Sequence, residues 1–234
     1  MRIGEHLPWV HVQQISTHWL LHRGRRPRRL RGLEDRLLAQ RSPDGPGLTE
    51  LIRVTQPRFR YHPDPVATGS AVPTVEACDL CGVPRGWRYA GPIYGRQIDV
   101  LCLHCIASSE AAQALTGAAD WPCMFTDTTD VPQDVPFAVV EEITQRTPGF
   151  DSWQQPSWLY HCGDGAAFLG AAGHEDLRAH PDALEMIRDD LHRLGWPADQ
   201  ADAMLRRMDR SGEPTAYLFL CLHCGVHLAS WDIG

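Results

Sequence analysis

Two pairs of cysteines constrain the fold of this chain more than any other feature. Cys78 and Cys81 are separated by two residues, and Cys102 and Cys105 repeat that spacing after a gap of twenty residues. A CxxC segment turns tightly enough to aim both sulfurs at one point, and two such turns supply the four thiolates of a tetrahedral zinc site. Gly82 suits the positive φ at which the chain leaves the first turn. The spacing therefore predicts one structural zinc ion bound by these four cysteines.

Disulfides or inert buried thiols are the alternative interpretation of the same cysteines. Eight cysteines in 234 residues are too few for a disulfide scaffold, and six of the eight lie in CxxC pairs. The N-terminus lacks a signal-peptide pattern, and no window of about eighteen apolar residues predicts a membrane span. These features favour a cytoplasmic protein, because a reducing compartment leaves thiols free to bind metal.

The residues around the two pairs predict a small zinc module over 57–118. Between the pairs, 86–94 and 98–101 favour the two strands of a hairpin around Gly95. Residues 106–115 are rich in helix formers and predict a helix that follows the second pair. A CxxC turn, a hairpin and a helix in this order are typical of a treble-clef or zinc-ribbon-like module.

A third CxxC pair, Cys221 and Cys224, lies near the C-terminus between two apolar segments. Two thiolates are an incomplete ligand set, so further donors are expected. Cys162 is the obvious third ligand, and His161 or His223 is the fourth. The sequence thus indicates a possible second metal site, while a reduced dithiol, a reversible disulfide and packed thiols stay open as alternatives.

Catalysis, if there is any, would be sought at this second site, because a mixed ligand set with an open position could activate water. Asp164 and Glu142 are the candidate bases, although each also fits a helix cap or a surface charge. The chain has no nucleophile elbow, P-loop, dinucleotide fingerprint or HExxH motif. The catalytic residues therefore stay unassigned, and the sequence leans away from an enzyme. The remaining cysteine, Cys123, is expected to be a small buried hydrophobe.

Residues 119–234 predict an α+β body. Strands are expected at 158–162, 215–220 and 226–231, and a helix rich in Ala and Gly is expected at 165–173, capped by Asp164. Two further helices are predicted by apolar stripes at helical spacing: Leu184, Ile187, Leu191 and Leu194 in the first, and Ala201, Met204, Leu205 and Met208 in the second. The fold class is α+β, with the zinc module leading into a small, mostly antiparallel sheet covered by two to three helices.

Charge separates an N-terminal extension from this body. Residues 1–56 hold ten Arg and five acidic residues, a net charge of +5, whereas 57–234 hold twelve Arg and twenty-four acidic residues, a net charge of −12. The extension is expected to be poorly ordered, and a basic arm that touches nucleic acid or a partner is the alternative. The acidic body argues against nucleic-acid binding and favours a basic protein partner.

A set of motifs spread over 57–234 resembles the CbrC family of bacterial proteins. The motifs are 59–70, the first two CxxC pairs, Gly91-Pro92, 146–150, 153–155, His161-Cys162, 166–170 and 221–225. The resemblance implies a small cytoplasmic bacterial protein whose family name is associated with colicin tolerance, and it offers no catalytic residues to carry over.

Three functions follow from these observations. The first is a zinc-binding, non-catalytic interaction protein in a stress or toxin-tolerance response, with a basic partner such as the cationic nuclease domain of a toxin. The second is a metal-dependent hydrolase at the His/Cys site. The third is a nucleic-acid-binding zinc protein that uses the basic extension.

Overall fold

The structure is a computed structural model that describes residues 56–117, 120–128 and 130–234. All of them belong to one compact unit, Thr49–Gly234. Apart from Gln56, the predicted N-terminal extension lies outside the described residues. Within the described ranges, no helix has both the length and the apolar character that crossing a bilayer requires.

Helices and short antiparallel strands alternate along the described chain. β1 pairs with β2, β3 pairs with β4, and β5, β6 and β7 form an antiparallel sheet with β6 in the centre. A mixture of helices and small antiparallel sheets is thereby confirmed. The elements are β1 Ala71–Pro73, β2 Trp87–Tyr89, α1 Leu103–Ala107, α2 Glu110–Ala114, α3 Phe137–Arg146, β3 Tyr160–His161, β4 Asp164–Gly165, β5 Ala167–Ala172, α4 His174–Arg178, α5 Pro181–Arg193, α6 Ala198–Arg207, β6 Thr215–Leu220 and β7 His227–Asp232.

The three-stranded sheet is buried on both faces. Ala216 and Leu218 of β6 pack in a cluster with side chains of α4, α5 and α6. Tyr217 and Phe219, which point the other way because strand side chains alternate, pack in an aromatic cluster with Phe150, Trp158 and Phe168. In that cluster, the rings of Phe150 and Phe168 are stacked with centroids 4.1 Å apart. β6 therefore separates two hydrophobic cores.

Two helices occur where the apolar stripes predicted them, as α5 and α6. Ala201, Met204, Leu205 and Met208 are all buried, as expected. In α5, Ile187 and Leu191 are fully buried, but Leu194 is 62% exposed. The prediction was wrong at Leu194 because the helix ends at Arg193, which leaves Leu194 at the C-cap.

The Ala/Gly-rich segment 165–173 is a strand and not the predicted helix. β5 pairs with β6 from Ala167 opposite Leu220 to Ala172 opposite Ala216. Gly170 has φ +130°, which no helix accommodates. Pairing with an apolar central strand outweighs the weak helix propensity of a short segment. Asp164 is consequently not a helix cap but a residue of β4.

The region between the first two CxxC pairs also differs from the prediction. β2 pairs with β1, which precedes the cysteines, and not with 98–101. A single backbone hydrogen bond, from Tyr89 N–H to the Leu101 carbonyl at 2.7 Å, joins the two expected strands. The expected helix over 106–115 is two short helices, because Ser109 adopts a left-handed φ of +67° between α1 and α2.

Candidate metal centres

The four cysteines of the first two CxxC pairs meet at one point, and their sulfurs all lie within 4.8 Å of one another. A tetrahedral ion with metal–sulfur bonds of about 2.3 Å requires sulfurs about 3.8 Å apart. A disulfide would bring two of them to about 2.05 Å, but all four are free thiols. The measured Sγ–Sγ distances are 3.9 Å for Cys78–Cys105, 3.9 Å for Cys81–Cys102 and 3.6 Å for Cys102–Cys105.

Short-range backbone bonds shape the first turn of this centre. The Gly82 N–H donates to the Cys78 carbonyl at 2.7 Å, and the Cys78 N–H donates to the Val83 carbonyl at 3.1 Å. Gly82 has φ +70°, as the sequence predicted. The second pair begins at the N-cap of α1, where the Cys102 N–H donates to the Cys78 sulfur at 3.4 Å.

Asp79 ties the two halves of the first centre together. Its carboxylate accepts the Val100 N–H at 2.8 Å, and its own N–H donates to the Val100 carbonyl at 2.9 Å. The first CxxC turn is thereby attached to the segment that leads into Cys102. The arrangement of the four sulfurs is therefore held by the backbone as well as by any bound ion.

The first centre lies inside a hydrophobic core. Cys78, Cys102 and Cys105 are each 1% exposed and belong to one cluster with Phe59, Tyr89, Leu101 and Ile106. Burial raises the pKa of Cys102 and Cys105, whereas backbone N–H donors outweigh burial and lower the pKa of Cys78. A bound dication would supply the positive charge that stabilises buried thiolates at this centre.

The predicted second set of ligands also comes together. One donor atom from each of His161, Cys162, Cys221 and Cys224 lies within 4.8 Å of the others. The His161 Nδ1 is 3.2 Å from the Cys162 sulfur and 3.4 Å from the Cys224 sulfur. A tetrahedral ion with one imidazole and three thiolates requires a nitrogen–sulfur separation of about 3.6 Å. This second group could therefore also bind a metal ion.

Two hairpin turns carry these ligands. His161 ends β3, and Cys162 and Gly163 form the turn into β4 with φ values of +54° and +69°. Between β6 and β7, the Cys221 N–H donates to the Val226 carbonyl at 2.9 Å, and the Gly225 N–H donates to the Cys221 carbonyl at 3.0 Å. These two hydrogen bonds have the same sequence spacing as the two bonds that join Cys78 to Val83 and to Gly82. The first and third CxxC pairs therefore form the same type of turn.

Asp164 joins the two turns of the second centre. Its buried carboxylate accepts hydrogen bonds from the Tyr61 hydroxyl at 2.7 Å and the Gly165 N–H at 2.8 Å. It also contacts the Arg60 guanidinium at 2.5 Å and the His223 Nε2 at 2.8 Å. Although burial opposes ionisation, these partners lower the pKa of Asp164. We call this group of Arg60, Tyr61, Asp164 and His223 the Asp164 clasp.

The structure distinguishes the two histidines that the sequence offered as the fourth donor of the second centre. His223 contacts Asp164 and is not in the ligand group, so His161 is the histidine near the three sulfurs. Asp164 is occupied by four partners and is poorly placed to act as a base. Glu142 lies on α3 and is not part of the ligand group.

Sequence reasoning missed the clasp. Arg60 and Asp164 are 104 positions apart, and no local spacing reveals such a contact. The one available signal is His223, a polar residue between the cysteines of the third CxxC pair.

The two centres differ in exposure. In the second centre, Cys221 is buried but Cys162 and Cys224 are exposed. Desolvation and the neighbouring thiols of Cys224 and Cys221 raise the pKa of Cys162 to about 11. Against the effect of burial, the N–H groups of Cys224 and His223 lower the pKa of Cys221 to about 6. Solvent therefore reaches the second centre but hardly reaches the first.

Cys123 belongs to neither centre. It is fully buried in the core that surrounds the first centre, and burial raises its pKa to about 11. Its interpretation as a small buried hydrophobe is confirmed.

Comparison with known proteins shows a family that covers the acidic body of the chain. The profile of the uncharacterised protein family UPF0167 matches residues 56–233. A UPF0167 protein of Mycobacterium bovis and one of Mycobacterium tuberculosis are each 46% identical over 179 residues, which cover 75% of this chain and 92% of the relative. A UPF0167 protein of Pseudomonas aeruginosa is 37% identical over 175 residues, which cover 72% of this chain and 92% of the relative.

No solved structure matches this chain. The range that the family profile matches, 56–233, contains all seven cysteines and the histidine of the two centres, as well as the Asp164 clasp. The relatives are matched over nearly their whole length. On this evidence the chain belongs to the UPF0167 family.

Proposed function

We propose that this protein is a zinc-binding, non-catalytic interaction protein of the CbrC type, with one zinc ion at each centre. The observation that carries the proposal is the tetrahedral spacing of the sulfurs of Cys78, Cys81, Cys102 and Cys105. Four thiolates, or three thiolates and one imidazole, are ligand sets typical of structural zinc. Each centre has four protein ligands, which leaves no coordination position for a substrate.

Metal analysis of the purified full chain tests this proposal. We expect two zinc ions per chain, one of which is lost in the double variant Cys221→Ser/Cys224→Ser and the other in Cys78→Ser/Cys81→Ser. Cys123→Ser is the matched control, because it removes a cysteine that belongs to neither centre, and it should retain both ions. Iron in place of zinc, or two ions in either double variant, would refute the assignment.

The domain organisation is part of the proposal. We propose that the first centre stabilises a treble-clef-like module over 57–118 and that 119–234 form the body that carries the second centre. The cysteines of the first centre are members of a hydrophobic cluster that is separate from the two clusters flanking β6, which supports this division. Residues 1–56 would then be an appendage.

A basic protein partner in the bacterial cytoplasm, such as the cationic nuclease domain of a colicin-like toxin, fits the charge of the body. Residues 57–234 carry a net charge of −12. Asp182, Glu185 and Asp189 recur along one side of α5 and line a surface depression of about 450 Å3. The other lining residues are Met186, Val226 and Leu228, which are apolar, together with His227 and one basic residue, Arg193. A surface that combines acidic and apolar side chains supports binding to a basic partner.

Charge reversal on α5 tests the partner. Asp182→Lys/Glu185→Lys/Asp189→Lys should abolish capture of a cationic nuclease domain. The matched control is Asp99→Lys/Glu110→Lys/Glu141→Lys, which reverses three exposed acids elsewhere and should retain most of the binding. Failure of the native chain to capture any such domain, or equal loss in both variants, would count against a partner bound at α5.

A metal-dependent hydrolase is the second candidate, favoured by the exposure of Cys162 and Cys224. It requires one protein ligand to leave the ion so that water can bind. Replacement of zinc by Co2+ distinguishes the two functions, because the absorption spectrum of a closed tetrahedral site does not change when inorganic phosphate is added. A spectral change that follows phosphate binding would favour the hydrolase. The acidic body gives no support to the third candidate, a nucleic-acid-binding protein.

A further inference from the structure

The two centres share their geometry but not their surroundings. Every cysteine of the first centre is a member of, or packs against, one hydrophobic core. None of His161, Cys162, Cys221 and Cys224 belongs to a hydrophobic cluster of the described residues. The first set of ligands is therefore part of a hydrophobic core, whereas Cys221 is the one buried cysteine of the second set.

Contacts other than metal–ligand bonds hold the two turns of the second centre. Cys221 and Cys224 lie in the connection between β6 and β7, two paired strands of the three-stranded sheet. His161 and Cys162 lie on the separate β3–β4 hairpin, which is flanked in the chain by Trp158 and Ala166 of the aromatic cluster. The two turns are also joined by the contact between His223 and the buried carboxylate of Asp164. Loss of an ion from this centre would leave the two turns in place, with their sulfurs still close to one another.

Two of the three sulfurs are accessible to solvent. Cys162 and Cys224 are exposed, and their sulfurs lie within 4.8 Å of each other and of Cys221. Thiolates that are accessible and adjacent react with peroxides and then with each other. At the first centre, Cys78, Cys102 and Cys105 are 1% exposed, so an oxidant has little access to their sulfurs.

From these contrasts we propose that the centre formed by His161, Cys162, Cys221 and Cys224 is a peroxide-sensitive metal site, which releases its ion when two of its cysteines form a disulfide. This inference rests on the proposed function, because it requires metal at both centres. The ion of the second centre would then be released and rebound in response to oxidants, while the ion of the first centre stays bound.

The chemistry balances with hydrogen peroxide as the oxidant. One thiolate attacks a peroxide oxygen and takes up OH, and the other oxygen leaves as hydroxide and is protonated to water. A second thiolate then attacks the resulting sulfenic sulfur, forms the S–S bond and expels the hydroxyl group, which is protonated to a second water. The two sulfurs lose two electrons and the peroxide gains them. The ion dissociates because two of its four ligands are gone.

The test follows zinc release from the full chain loaded with two ions. Hydrogen peroxide is added with a chromophoric chelator, and zinc is recorded over time. We expect one ion to be released at least about ten-fold faster than the other, because the second centre has two exposed cysteines, whereas the first has three buried cysteines and the half-buried Cys81. Peptide mapping at that stage should show one disulfide among Cys162, Cys221 and Cys224, with Cys78, Cys81, Cys102 and Cys105 still bound to zinc. A thiol reductant and added zinc should restore the starting protein.

The outcomes separate the inference from the proposed function. Release of both ions at the same rate, release of neither, or first disulfides among the cysteines of the first centre would refute the inference and leave two zinc ions as proposed. A chain that holds a single ion before peroxide is added would refute the second centre itself. The double variant Cys162→Ser/Cys224→Ser should hold one zinc ion per chain, and that ion should resist peroxide. This result would assign the rapidly released ion of the native chain to the second centre. A remaining ion that is released rapidly would overturn the inference.

Discussion

Asp164 lies where three segments that are distant in the sequence meet. Its carboxylate contacts the side chains of Arg60 and Tyr61, which lie near the start of the described chain, and of His223 in the third CxxC turn. It also accepts a hydrogen bond from the N–H of its neighbour Gly165. Loss of a group that orients metal ligands typically lowers metal affinity about 10- to 100-fold. We therefore infer that Asp164 would position the ligands of the second centre if that centre binds metal.

Replacing Asp164 by Asn should weaken metal binding at the second centre about 10- to 100-fold, because the loss of charge loosens the contacts to Arg60 and His223. Competition with a chromophoric chelator measures the affinity of each centre. Asp176→Asn is the matched control, since Asp176 also bonds a backbone N–H and an arginine but lies on α4. An equal loss at both centres in Asp164→Asn would indicate a general structural effect and contradict the positioning role.

His62 is a second buried residue with a specific consequence. It is fully buried, with Nδ1 2.7 Å from the Pro148 carbonyl and Nε2 2.7 Å from the Thr68 hydroxyl. The carbonyl can only accept, so Nδ1 carries the hydrogen and Nε2 accepts from Thr68 in a neutral ring. Burial lowers the pKa of His62 from 6.5 to about 4, and the Pro148 carbonyl and Asp64 only partly offset it.

The folded protein should lose stability in acid because of His62. The unfolded chain binds a proton near pH 6.5 and the folded chain only near pH 4, so the contribution is complete above pH 6.5 and is lost as the pH falls towards 4. The loss should be about 3 kcal/mol in the free energy of unfolding. Urea unfolding gives the free energy of unfolding at each pH. Between pH 6.5 and pH 4, this free energy should fall less steeply with decreasing pH in His62→Asn than in the native chain. Equal slopes would mean that His62 is not the group that titrates.

At the scale of elements, α5 was predicted as a helix, but the burial of its apolar residues differs from the sequence pattern at one end. Four leucines and isoleucines at helical spacing were expected to share one buried face. Ile187 is fully buried between α6 and the sheet, whereas Leu194 is exposed because the helix has already ended. Position relative to the helix end, and not hydrophobicity alone, decides which of them stabilise the fold.

This difference gives a paired prediction for α5. Ile187→Ala should lower the free energy of unfolding by about 2–5 kcal/mol, because it leaves a cavity in a packed core. Leu194→Ala should change it by no more than about 0.5 kcal/mol, because the side chain is largely exposed. Denaturant unfolding of both variants provides the comparison. If both variants lowered the free energy of unfolding by similar amounts, Leu194 would contribute to the core as the sequence pattern predicted.

The elements that could be predicted were those with a strong local pattern. α5 and α6 follow apolar residues at helical spacing, β6 follows a continuous apolar segment, and β7 is the strand expected to return from it, and all four lie close to their predicted positions. β5 could not be predicted, because its Ala- and Gly-rich residues carry little preference and its conformation is set by pairing with a strand about fifty residues away. β2 was assigned the wrong partner for the same reason: strand pairing is a property of the whole fold.

For the molecule as a whole, the two groups of candidate metal ligands could be predicted because most of their cysteines lie in short CxxC motifs. The CxxC spacing identified six of the seven cysteines, and the incomplete third pair pointed to Cys162 and His161. The Asp164 clasp could not be predicted, because it joins residues that only the folded chain brings together. The difference in solvent exposure between the cysteines of the two centres could not be predicted either, because it depends on how the complete fold packs.

Removal of zinc should affect the two halves of the molecule differently. We expect that exhaustive chelation under mild denaturant unfolds the core around the first centre, because a structural zinc site contributes roughly 10 kcal/mol or more to folding. The core formed by α4, α5, α6 and β6 contains no proposed ligand and should persist. Hydrogen exchange at Tyr89 and Ile106, compared with Ile187 and Leu191, measures the two responses. Simultaneous loss of protection at all four would show that the cores unfold as one.

The hairpin between β6 and β7 has a further consequence for how this protein can vary. The connection between two antiparallel strands is normally the place where a chain accepts extra residues most easily. Here Cys221 and Cys224 fill that connection, and the bonds from Cys221 to Val226 and from Gly225 to Cys221 fix its length. One inserted residue would leave the strands paired while turning a sulfur away from the ion, so the outermost loop of this sheet is among its least adjustable parts.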